Sequence, residues 1–121
     1  MASPADQALQ LVTLRQAKRR SFNERLAAME TAGPDAESTL FRCECGLIAC
    51  GAAIRLFPGE YEELRAEPRH FAVLRSHAIP EAEHVVATHR GWVTVEKLPG
   101  PGGDLATSTH RRPAAKRRAR A

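Results

Sequence analysis

Cys43, Cys45 and Cys50 are the chain's three cysteines and fall within eight residues, as Cys43-Glu44-Cys45 followed by Gly46-Leu47-Ile48-Ala49-Cys50. Thiolates are soft donors, and a C-x-C-x4-C run supplies three of the four ligands that a zinc ion takes, tetrahedrally, in a structural site. The fourth is sought among five histidines. His77 is the choice, because it stands just beyond an expected core strand. His89 is its competitor, on the apolar face of an expected helix where a histidine packs rather than ligates; His70 and His84 read as solvent-facing, and His110 belongs to the tail.

Other chemistries for the three sulfurs are a buried thiol cluster, in which each acts as a small hydrophobe, and a redox switch, in which two form a disulfide and release the metal. Iron–sulfur ligation lacks a fourth cysteine. A metal is preferred because side chains two apart on a strand share a face, so Cys43 and Cys45 point together while a turn returns Cys50 towards them. Glu44 then reads as an exposed strand residue rather than a catalytic base. A catalytic zinc needs an open position and a general base. The signatures H-x-E with P-C-x-x-C and H-E-x-x-H are absent, as are a glycine-rich phosphate loop and a G-x-S-x-G elbow, so the chain reads as a non-enzyme.

The elements that must position these residues follow from periodicity and turn chemistry. Ala5 to Met29 reads as helix, with Leu11, Leu14, Lys18, Phe22, Leu26 and Met29 on one side; Ser21 and Glu24 resemble a capping box, so a kink or a second helix start is open. Thr31-Ala32-Gly33-Pro34 ends it. Leu40 to Cys45 reads as a strand, Gly46 to Gly51 as a turn and Ala53 to Phe57 as the return strand. Pro58 to Ala66 reads as a short helix with an acidic first turn, Phe71 to Arg75 as a strand, Pro80 to Thr88 as a helix with Ala82, Val85, Val86 and His89 on one face, and Trp92 to Lys97 as a last strand. The expected fold class is α+β: a small zinc-stapled domain with a β-hairpin, further antiparallel strands and short helices, preceded by an N-terminal helix. Its boundaries are an N-terminal helical segment at 1–32, a compact domain at 38–98, and a disordered Gly/Pro linker and basic tail at 99–121.

Charge is segregated. Residues 1–29 carry five basic and two acidic groups, 30–109 carry seven and twelve, and 110–121 carry six and none. The compact part is thus acidic, and the overall +4 reflects the ends. The tail could bind nucleic acid only non-specifically, through phosphates. Clustered cysteines, odd in number, argue against a secreted disulfide framework and for a reducing cytoplasm. No signal peptide is recognisable, and no apolar run of about 20 residues would span a membrane.

The segment from about Ser21 to Leu98 resembles a group of small, functionally uncharacterised actinobacterial proteins built around Cys-Glu-Cys. The matching residues are Phe41, Cys43-Glu44-Cys45, Cys50, Ile54, Leu56, Glu60-Tyr61-Glu62, Arg65, Pro68, Phe71, Val73, His77, Val85-Val86 and Val93-Thr94-Val95-Glu96-Lys97. The resemblance implies the same four ligands, with His77 completing the set, and no activity. Where the group places glycine before the histidine and glutamate after it, this chain has Ser76 and Ala78, and its inter-cysteine loop is apolar rather than acidic. The expected function is a non-enzymatic regulatory or adaptor protein contacting another macromolecule, with a protein as the expected partner and Leu11, Leu14 and Phe22 of the N-terminal helix as a candidate contact. A nucleic-acid-associated protein and a thiol-based redox sensor are the alternatives.

Overall fold

Antiparallel pairing builds two small sheets in the computed structural model, which describes residues 3–29 and 37–110. The order is α1 (Pro4–Met29), β1 (Thr39–Arg42), β2 (Ala53–Leu56), α2 (Pro58–Leu64), β3 (His70–Val73), a 3-10 turn (Arg75–His77), β4 (Glu83–Thr88), β5 (Val93–Lys97) and α3 (Pro101–Ser108). The fold class is α+β, as the sequence indicates. The expected helix end at residues 31–34 and the basic run at 111–121 lie outside the described residues.

The hairpin pairs β1 with β2, Phe41 opposite Ile54, so Phe41, Ile54 and Leu56 face inward. The second sheet has the order β3-β5-β4, with Phe71 opposite Val95 and Val73 opposite Val93. Alternating β-branched and aromatic residues suit a half-buried pleat. Between the sheets, Phe41 stacks on Tyr61 of α2 with centroids 4.7 Å apart, and Leu64, Phe71, Trp92 and Val95 complete the apolar core. Pro58 opens α2 at a position where its missing N–H costs nothing, and the Phe57 N–H donates to Glu60 Oε1 at 2.8 Å.

Three expectations are corrected. Pro80 to Thr88 is not a helix: Glu83–Thr88 is an edge strand on β5, with a bulge between Val85 and Ala87. The bulge breaks the two-residue alternation and leaves Val85 and Val86 both exposed, which gives the segment its false helical period. The Gly/Pro stretch expected as linker contains α3 instead. Pro101 starts this helix, and Gly103 and Ala106 are small enough to bury, so a segment poor in large apolar residues still packs against α1.

The third correction concerns α1. It is one continuous helix rather than two, and its apolar stripe faces outward. Leu11, Leu14, Phe22 and Met29 are exposed, whereas Thr13, Gln16, Ala17, Arg20, Asn23 and Ala27 are buried. The reason is the surface the helix meets, which presents polar groups. Gln16 donates to Glu83 Oε1 at 3.1 Å and accepts from Lys97 Nζ at 2.7 Å. Arg20 donates to the carbonyls of Pro68 and Ala106 at 2.8 and 3.0 Å, and lies 4.7 Å over the Phe71 ring. Buried polar groups must be paired, so this surface selects a polar helix face over an apolar one.

Candidate metal centre

β1 ends at Arg42, and the cysteines follow on a bridging strand-like segment. The Cys43 N–H still donates to Ala52 O of the hairpin at 3.0 Å, but the Glu44 N–H donates to Ala72 O of β3 at 2.7 Å. The C-x-C segment therefore crosses from one sheet to the other. Cys50 returns through a turn closed by its N–H on Leu47 O at 3.3 Å, and His77 arrives on the 3-10 turn after β3, its N–H on Leu74 O at 2.9 Å.

These elements bring Cys43, Cys45, Cys50 and His77 together, their ligand atoms all within 4.8 Å of one another. His77 Nδ1 is 3.6 Å from Cys43 Sγ and 3.4 Å from Cys50 Sγ. All three cysteines are free thiols, the first two buried and Cys50 half-buried. The cluster is close enough to hold one metal ion. The other histidines are elsewhere. His89 belongs to no helix; it stacks on Trp92 at 3.7 Å and shares a 2.8 Å hydrogen bond with Thr94 Oγ1. His70 pairs with Glu96 at 2.9 Å, His84 is exposed, and His110 Nε2 donates to Arg65 O at 2.7 Å.

Donors surround the sulfurs. The Leu74 N–H points at Cys43 Sγ, 3.2 Å away, and Arg19 Nη1 lies 3.6 Å from Cys45 Sγ. Such donors favour thiolates. The hydrogen bond between Cys43 and Cys45, and then burial, push the Cys43 thiol up, while the same hydrogen bond pulls the Cys45 thiol down.

Three features were missed in the sequence. Arg15 and Arg19 clamp the ligand loop to α1: Arg15 Nε donates to Gly46 O at 2.7 Å, and Arg19 to Cys45 O at 2.6 Å and Ile48 O at 3.2 Å. Gly46 permits this approach, since a Cβ there would overlap Val12. Glu44, expected to be exposed, is fully buried. Its carboxylate accepts from Tyr61 Oη at 2.6 Å, Asn23 Nδ2 at 2.9 Å and the Ala72 N–H at 3.0 Å, so the residue between two ligands is tied to α2, α1 and β3. Burial pushes this carboxyl up, against the three hydrogen bonds that pull it down. The signal available was the polar run Gln16, Arg20, Asn23 at helical spacing, which marks a second, polar buried face.

No protein-family model matches the chain, and neither the curated proteins nor the solved structures contain a match. Among the described residues no helix is long and apolar enough to cross a membrane.

Proposed function

We propose that this chain is a small non-enzymatic adaptor or regulatory protein, folded around one structural zinc and binding another protein. The observation that carries the reading is the closed quartet of Cys43, Cys45, Cys50 and His77. Zn–S bonds of about 2.3 Å and Zn–N bonds of about 2.0 Å set S···N edges of roughly 3.5 Å in a tetrahedron. The S···N separations of 3.4 and 3.6 Å fit that edge. Four protein donors leave no position for a substrate or an activated water, which supports a structural rather than a catalytic metal.

The expected role of the ion is to supply what the small core lacks. Structural zinc sites contribute roughly 10–16 kcal/mol in small modules, against a typical net domain stability of about 5–15 kcal/mol. Free thiols also fit a reducing cytoplasm. Cobalt substitution tests the reading. A four-coordinate thiolate–imidazole spectrum that azide does not perturb is expected; an azide-sensitive spectrum would reveal an open position and turn the site into a catalytic candidate.

A further inference from the structure

The outer face of α1 goes further, and the inference rests on the adaptor reading just given. A helix whose polar residues are consumed inside the molecule leaves its apolar ones outside. Leu11, Leu14, Phe22 and Met29 are 55, 42, 41 and 78% exposed, along about 27 Å of helix from first to last. Scattered single apolar residues are ordinary on a surface, but an aligned stripe marks an interaction site.

The charges on the stripe say what would cover it. At 100° per residue, exposed Lys18 falls in its centre, between Leu14 and Phe22, and exposed Arg25 falls between Phe22 and Met29. Arg42, from β1, holds its guanidinium 5.5 Å from the Phe22 ring. Both carboxylates of α1, Asp6 and Glu24, fall on the opposite half of the helix with Ala17, and Glu24 pairs with Arg65 at 3.4 Å. The outer face is therefore apolar and cationic in alternation.

A second copy does not fit, because pairing two such faces brings Lys18 and Arg25 of both copies together with no α1 carboxylate between them. A bilayer wants its cations at the borders of an inserted face, and here Lys18 is central. Duplex DNA would leave four large apolar side chains against phosphates. We infer that the outer face of α1 docks an acidic amphipathic helix of a partner protein, whose apolar residues pack between the turns at Leu14 and Phe22 and whose carboxylates meet Lys18 and Arg25.

The test titrates the full chain into a labelled synthetic helix with leucine at every third or fourth position flanked by glutamate, and into its lysine counterpart. Vesicles containing phosphatidylserine and a short DNA duplex run in parallel, with zinc content and sedimentation measured on every protein. Binding of the glutamate helix, weakened about tenfold or more by Lys18→Glu with Arg25→Glu and by Leu14→Ser with Phe22→Ser, and no binding of the lysine helix, is the expected result. Equal binding of both helices, binding of vesicles or DNA in their place, or a dimer that these variants dissolve would overturn it. Zinc-loaded chain that ignores the glutamate helix rejects the partner chemistry alone, whereas a zinc-free native chain rejects the adaptor reading beneath it.

Discussion

The sheet-to-sheet core and the seam under α1 are both buried, yet they are held by opposite means. The first packs Phe41, Tyr61, Phe71, Val93 and Val95 with almost no exposed area. The second buries Gln16, Arg20, Asn23, Glu44, Glu83 and Lys97, each with a hydrogen-bond partner. Apolar packing tolerates sliding; a ladder of directed polar contacts admits one register. The cluster of Cys43, Cys45, Cys50 and His77 lies where the two meet, since Cys43 and Cys45 belong to the core while Arg15 and Arg19 tie their loop to α1. Loss of the ion should therefore disturb both regions at once.

That expectation gives the largest effect. Chelation, or Cys45→Ser, should remove a contribution comparable to the whole stability of the fold, and near-UV dichroism should collapse with the far-UV signal. A variant that loses metal but keeps an ordinary melting transition would separate metal from fold. Within the core, Phe71→Ala should cost about 3–5 kcal/mol in denaturant unfolding.

The seam is broken by leaving one charge without its partner. Lys97 and Glu83 are paired at 3.1 Å with side chains almost wholly buried. Lys97→Met should cost about 3 kcal/mol, because Glu83 stays buried and unpaired, whereas Lys97→Met with Glu83→Leu and Gln16→Leu should recover most of the loss. Failure of the triple variant to recover would mean that the seam itself stabilises the fold. Burial pulls the Lys97 amine below the ordinary lysine range, against the attraction of Glu83. The unfolded chain holds that proton more tightly, so this group's contribution to stability rises as alkaline pH climbs from the folded value to the unfolded one, and Lys97→Met should remove that slope from pH-dependent melting. The smallest effect belongs to the outer stripe: Phe22→Ser should change stability by no more than about 0.5 kcal/mol, since nothing buried depends on it.

What the sequence made legible follows the same division. The hairpin around the cysteines, α2, β3 and β5 have alternating or capped patterns that local physics dictates, and the ligand types and spacing point to a metal before any coordinates. The helix α1 misled because an apolar stripe is normally the buried one, and only the surface beneath it decides otherwise. Glu44 misled for a related reason: a carboxylate between two cysteines is affordable inside only because Tyr61, Asn23 and the Ala72 N–H converge on it, from 17, 21 and 28 residues away. In β4 a bulge disguised the strand, and in α3 small residues hid a helix behind linker composition.

On the reading proposed above, one metal ion closes Cys43, Cys45, Cys50 and His77 into a single structural centre. Elemental mass spectrometry of tag-free protein purified without chelator, beside His77→Ala, tests it most directly. About one zinc per chain is expected in the native protein, and a lost or sharply weakened metal in the variant. A native chain that folds cooperatively under reducing conditions with no metal bound would contradict it.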